Sequence, residues 1–175
     1  SDDAQWFAQH ADKLPRRHFP TGVGVPARFL SDPVAAKDWE SLELLWIGDF
    51  SPRKRPLLAV EVARLLRLHG LAFTLRMLGD GPLVPETQNL VEFHGLQNHV
   101  KLVGRVPSSV SWLDDCHAVI HTSQWEGLPR VLLEASARGR ISVAFDVKGV
   151  RDIPAALLVS DGDTVGMAGL IERLA

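Results

Sequence analysis

One cysteine in the whole chain, Cys116, forbids an internal disulfide and excludes a thiolate metal cluster. No apolar run reaches the roughly 18 residues that a membrane-spanning helix needs, and no signal-peptide pattern opens the sequence. Charge of neither sign prevails. Lysine and arginine number 19 against 21 acidic side chains, a formal net charge of −2, so there is no basic footprint for nucleic acid or an anionic membrane surface. The seven histidines form no pair at metal-ligand spacing in a site-like context. A dinucleotide fingerprint would need clustered glycines between the first strand and its helix. The early pair Gly22 and Gly24 precedes no helix, and a P-loop is missing as well.

What is present is an ordinary globular composition, 175 residues with 46% apolar and 23% charged, enough for one domain with a real core. Residues 1–40 read as a loop-rich lead-in. They carry Pro15, Pro20, Pro26 and Pro33 without sustained periodicity, and room for one short helix over 4–13. Residues 41–175 read as a regular domain. Short apolar runs at 43–47, 73–78, 100–103, 118–121, 142–145 and 157–159 predict strands. Their uniform apolarity suggests parallel strands covered on both faces. Amphipathic stretches at 56–68, 84–93, 109–114, 129–138 and 163–174 predict helices, with Val60, Ala63 and Leu66 at helical spacing in the first. His69-Gly70-Leu71 and His94-Gly95-Leu96 repeat one stop signal, glycine as a left-handed helix cap. Strands alternating with helices predict an α/β, doubly wound parallel sheet of about six strands with helices on both faces, a Rossmann-like fold. In such sheets, ligands bind beyond the carboxyl ends of the strands.

The strand exits hold the unusual residues. The first is Gly48-Asp49-Phe50-Ser51-Pro52-Arg53-Lys54-Arg55, the second Gly79-Asp80-Gly81-Pro82, the third Gly104-Arg105-Val106-Pro107. The fourth, Ser123-Gln124-Trp125-Glu126-Gly127-Leu128-Pro129, runs into the helix that carries Glu134. Arg53, Lys54 and Arg55 could neutralise phosphate charge, or form a solvated turn capping a helix. Gly79 to Pro82 is by itself a tight turn. A carboxylate beside glycine, as at Glu126, can accept hydrogen bonds from sugar hydroxyls, or partner the dipole of the following helix. Glu134 interrupts an apolar stretch and has an ion pair with Arg130 or Arg138 as its plain alternative. His121 is expected to be packed or capping, and Cys116 a small buried hydrophobe. Trp125 is expected to be a packed loop anchor, with lining of a sugar pocket as the other role.

In this order and spacing the exits resemble the carboxyl-terminal, donor-binding domain of the retaining GT-B glycosyltransferases, the large group 1 (family 4) class. The resemblance spans 44–152. Ser123 through Ala135 is similar to the family's serine, E-G-[FL]-P turn and second glutamate, with the E-x7-E spacing. Met77 to Pro82 resembles its G-x-G-P turn, Val100 to Gly104 its V-x-F-x-G strand, and Val147 to Asp152 its late glycine-rich turn. Position by position, the resemblance implies that Lys54 contacts the donor diphosphate and that Glu126 addresses the transferred sugar. Gly127, Leu128 and Pro129 would cradle sugar and phosphate through their backbone, and Glu134 would hold the ribose. Gly104, Arg105 and Val106 would line the base. Gly48, Gly79, Gly81, Ser123, Arg53 and Arg55 complete the expected donor site, with Glu126 and Lys54 as its catalytic pair. The implied donor is a nucleotide-diphosphate sugar. No metal and no other cofactor is expected.

Two positions depart from the family pattern. Asp49 stands where an arginine usually follows the first glycine, a reversal of charge that Arg53 or Arg55 would have to offset. Asp152 replaces a glutamate. The resemblance also implies a partner, an acceptor-binding domain on the N-terminal side, toward which Phe19 to Val23 resembles the connection. The expected location is the cytoplasm, with any membrane association supplied by that domain or by the acceptor. The alternatives are an inactive nucleotide- or sugar-binding module and a GT-B-type sugar-nucleotide epimerase.

Overall fold

The computed structural model describes residues 25–30, 41–151, 153 and 156–174. The expected helix over 4–13, most of the lead-in and Asp152 lie outside these residues. Six strands are present: β1 (Leu42–Ile47), β2 (Phe73–Leu78), β3 (Val100–Gly104), β4 (Ala118–His121), β5 (Ile141–Phe145) and β6 (Ala156–Val159). Among the described residues the helices are α1 (Pro56–Leu68), α2 (Val84–Phe93), α3 (Val110–Asp115), α4 (Arg130–Ala137) and α5 (Thr164–Leu174), with a short 3-10 turn at Ala27–Phe29 ahead of them.

Every strand pairing is parallel, and the sheet order is β3-β2-β1-β4-β5-β6. From β1 the chain walks outward through α1, β2 and α2 to β3, then returns through α3 to β4 beside β1 and walks the other way. Right-handed crossovers therefore put α1 and α2 on one face and α3 and α4 on the other, while α5, after the last strand, packs against α1. The reversal lies between β1 and β4, the topological switch point where α/β sheets bind ligands.

Local chemistry explains the elements. Gly70 and Gly95 take positive φ of 77° and 63° just past α1 and α2, where their lack of a Cβ lets the chain turn into the next strand. Pro56 occupies the first turn of α1, where a missing N–H costs nothing. All four residues of β4 are buried, as a central strand covered on both faces requires. Edge strands depart from that expectation. On β3, Lys101 and Val103 are exposed, and on β6 Leu158 is, because one flank and part of one face of each meets solvent. The core runs continuously from Leu44, Trp46 and Leu75 under α1 to Val143 and Phe145 under α5. Cys116 is buried, as expected.

Candidate functional site at the β1 and β4 exits

The loops that leave β1 and β4 meet over the switch point, and one hydroxyl fastens them. Thr122 Oγ1 accepts from Trp46 Nε1 at 2.9 Å and donates to the carbonyl of Lys54 at 2.9 Å. Gln124 N donates to the carbonyl of Arg53 at 2.8 Å. These ties bring together side chains 72 and 73 positions apart. Lys54 Nζ donates to Glu126 Oε1 at 2.6 Å, and Arg53 Nη1 to Glu126 Oε2 at 3.0 Å. His121 Nε2, at the end of β4, lies 3.3 Å from the same Oε1.

Glu126 is buried, only 7% exposed, so the state of its carboxyl group is decided by its neighbours. Burial opposes ionisation. The polar groups of His121, Lys54 and Ser123 beside it, and the Lys54 charge, outweigh it and hold the carboxyl well below the usual carboxylate range. For His121 burial is the largest influence and depresses its pKa, against the pull of Glu126 and with the push of Lys54 and Arg53. The imidazole is therefore neutral, with Nε2 facing the carboxylate at 3.3 Å.

The three basic residues divide their work. Arg55 sits at positive φ (50°) just before α1 and donates to the carbonyls of Thr122 and Ser123, each at 2.8 Å. It also donates to Asp161 Oδ1 at 2.5 Å, and its guanidinium lies over the Phe145 ring. Its guanidinium thus straps the β1 loop to the residues after β4 and to the turn after β6. Arg53 and Lys54 instead turn toward Glu126. Asp49 pairs with Arg53 at 3.4 Å, so the departure from the family pattern sits directly on one of these two cations.

The glycines also separate by cause. Gly79 and Gly81 serve more than a tight turn, because the loop after β2 packs on the loop after β1. Phe50 N donates to the Asp80 carbonyl at 3.0 Å and Leu83 N to the Phe50 carbonyl at 2.9 Å. A Cβ on Gly79 would overlap the Gly48 carbonyl, and one on Gly81 would come within 2.7 Å of the Phe50 oxygen. A Cβ on Gly48 would crowd Trp46 at 3.2 Å and the Lys54 stem at 3.4 Å. Gly104 has open space around it but a φ of 86°. Gly127 has open space and no positive φ, so nothing in the fold calls for glycine there.

The remaining predicted residues surround this centre. Ser123 and Pro129 are buried, Leu128 is half-buried, and Pro129 leads into α4. Glu134, within α4, is half-buried. Burial raises its pKa, opposed by Arg130 and Arg28 and by a hydrogen bond from Ser109. The ion-pair alternative survives in weak form as Arg130 at 4.0 Å, whereas Arg138 bonds Asp114 at 2.6 Å. Arg105 is exposed and pairs with Asp80 at 3.5 Å, and Val106 is partly buried against the core. Two expectations change. His121 is packed, but it touches the central carboxylate, which the apolar run containing it gave no means to see. Trp125 is 53% exposed, so it is no packed anchor. No group of three or more His, Cys, Asp or Glu side chains is placed to hold a metal among the described residues. Among the same residues no helix is long and apolar enough to cross a membrane.

Comparison with known proteins follows the same lines. The putative colanic acid biosynthesis glycosyltransferase WcaL of Escherichia coli is 31% identical over 160 residues, covering 85% of this chain and 38% of the relative. The poly(ribitol-phosphate) α-N-acetylglucosaminyltransferase of Staphylococcus aureus is 33% identical over 102 residues, 58% of this chain and 21% of the relative. The chain thus spans well under half of these relatives. The crystal structure of a mutant of S. aureus TarM in complex with fondaparinux, α-GlcNAc-glycerol and UDP superposes with a TM-score of 0.73 at 25% identity, covering 95% of this chain and 35% of that one. Anabaena HepE in complex with UDP and glucose shares the fold, with a TM-score of 0.70 at 22% identity over 76% of this chain and 38% of its own. A family model described as glycosyl transferases group 1 matches residues 41–175. With the six-stranded parallel Rossmann-like sheet of GT-B enzymes and this match over most of its length, the chain belongs to the group 1 glycosyltransferases.

Proposed function

We propose that this chain is the donor-binding half of a retaining glycosyltransferase that moves a sugar from a nucleotide-diphosphate donor to a glycan, lipid or other acceptor. The observation that carries the reading is Glu126, a buried carboxylate held ionised by Lys54 and Arg53 at the switch point, next to the open space over Gly127. Cleaving a sugar–diphosphate bond leaves negative charge on the departing phosphates, and fixed cations stabilise that charge as it develops. On this reading an arriving diphosphate competes with Glu126 for Lys54 Nζ and the Arg53 guanidinium. The carboxylate oxygens then turn to hydroxyls of the sugar. The first-turn amides of α4, behind Pro129, add partial positive charge on the same side. Glu134 holds the ribose, with Arg105 and Val106 at the base. Phosphate charge is met by side-chain cations, so the reading calls for no metal. Acceptor binding falls to a further domain, consistent with relatives that are more than twice as long as their match to this chain.

The Asp49–Arg53 pair favours one second reading, a module that binds the nucleotide without turning it over. Calorimetric titration with UDP-, GDP- and ADP-sugars and with the free nucleotides tests the first step. Saturable binding of one series is expected, and no binding of any would overturn the donor-domain reading. Transfer to an acceptor by this chain joined to an acceptor-binding domain, abolished by Lys54→Ala or Glu126→Ala, then decides between enzyme and inert binder.

A further inference from the structure

Tryptophan is the largest apolar side chain, and an exposed one held rigidly beside a polar cluster marks a contact surface. Trp46 is buried and Trp112 is partly buried against the core, but Trp125 is 53% exposed at the carboxyl edge of the sheet. Its exposure is not looseness. The peptide groups on both sides are anchored, Gln124 N to the Arg53 carbonyl at 2.8 Å and Glu126 N to the Lys148 carbonyl at 2.9 Å. Gly149 lies so close beneath the Glu126 carbonyl that a Cβ would not fit. The Arg53 guanidinium carbon sits 5.3 Å from the indole centroid. The same guanidinium donates to Glu126 Oε2 at 3.0 Å. One cation therefore fixes the plane of the indole and the plane of the carboxylate together.

We propose that the free face of Trp125 is a stacking platform for the pyranose ring of the transferred sugar, and so a determinant of sugar affinity at the donor site. The proposal rests on the donor-domain reading above and adds a residue to it. A pyranose has a ring of C–H bonds on one face and hydroxyls at its edge. The negative face of an indole attracts the polarised C–H groups, and an adjacent carboxylate accepts from the hydroxyls. Trp125 and Glu126 offer this pair of surfaces on consecutive residues, and Gly127 leaves space beside them. Arg53 already covers the other face of the indole, so the ring has one orientation to offer and loses little freedom when a sugar settles on it.

The test compares each nucleotide sugar with its own free nucleotide on this chain, UDP-glucose with UDP first and then the GDP and ADP pairs, by calorimetry. The ratio of the two dissociation constants isolates the contribution of the sugar. Trp125→Ala is expected to shrink that ratio by about two- to tenfold, the size of an aromatic stacking contact, with the free-nucleotide constant unchanged. Trp125→Phe is expected to keep most of it. If Trp125→Ala leaves the sugar contribution intact, the ring faces something else, such as an adjoining domain, and the proposal is overturned. Loss of free-nucleotide binding in the same variant would show a merely structural role and overturn it too. Wild-type chain that binds no nucleotide would sink the donor-domain reading and this inference with it.

Discussion

His121 Nε2 and Lys54 Nζ converge on one oxygen, Glu126 Oε1, at 3.3 and 2.6 Å. One is a neutral ring buried in β4 and the other a cation on a loop, so the carboxylate is flanked both from inside the fold and from the loop.

That arrangement predicts an acid-sensitive site. His121 has its folded pKa depressed below its ordinary 6.5, so the unfolded chain takes up the proton first. Its contribution is complete above about pH 6.5 and declines as pH falls toward the folded value. Glu126 acts in the same direction below its ordinary 4.5, since its folded pKa is lowered. His121→Leu replaces the buried polar neighbour of the carboxylate with an apolar group and is expected to destabilise by about 1–3 kcal/mol at pH 7.5. His121→Gln, which keeps an N–H donor, is expected to recover part of that loss. In urea unfolding at pH 7.5, 6.5 and 5.5, the advantage of wild type over His121→Gln is expected to shrink as pH falls. An advantage that grows on acidification would refute a neutral His121.

Asp49 restrains Arg53 through an exposed pair at 3.4 Å. Removing the carboxylate frees a cation for phosphate, so Asp49→Ala is expected to tighten nucleotide-diphosphate binding by about two- to fivefold, with little change in stability. Because the pair is exposed, the gain is expected to shrink between low and high salt. Weaker binding in the variant would give Asp49 a positive role at the ligand.

Arg53 and Arg55 are expected to fail differently. Arg55→Ala leaves the Thr122 and Ser123 carbonyls without their guanidinium partner, at a cost of about 1–3 kcal/mol, several degrees in a melt of a chain this size. Arg55→Lys recovers little, since an ammonium lacks the planar fork that spans two carbonyls. Arg53→Ala is expected to leave the melting temperature nearly unchanged and to weaken nucleotide binding. Equal effects of the two variants on both readouts would contradict the division of roles.

Gly127 and Gly79 make a matched pair. A methyl group at Gly127 enters open space, so Gly127→Ala is expected to fold with wild-type stability and to bind donor more weakly. The same change at Gly79, where φ is 134° and the Gly48 carbonyl stands in the way, is expected to destabilise strongly. Thermal melts and donor titration of the two variants separate a glycine kept for a ligand from one kept for the fold.

Much of this was legible in the residues. The strands and helices follow the apolar runs and their glycine and proline punctuation to within a residue at each end, because each run is short, uniformly apolar and sharply bounded. Lys54 and Glu126 could be named, but only from the order of motifs, since nothing local places side chains 72 positions apart in contact. The role of His121 was hidden because a histidine ending an apolar strand reads as core, and its approach to Glu126 depends on how the loop after β4 folds back. The Arg55 strap was hidden for a related reason, as its acceptors are backbone carbonyls, which every residue carries. Trp125 looked buried because it is large, and its exposure follows from Arg53 holding it up from the other loop.

The sheet order has a consequence for how the molecule opens. Lys54 and Glu126 hang from β1 and β4, the two innermost strands, whereas Gly104, Arg105 and Val106 leave β3, an outer rail of the ladder. Outer rails unzip at lower free energy than the centre. Amide hydrogens of β3 will therefore trade with solvent through partial unfolding, while those of β1 and β4 wait for the whole molecule to melt. A lineage could rewrite the residues after β3 at small cost, leaving the charged centre untouched.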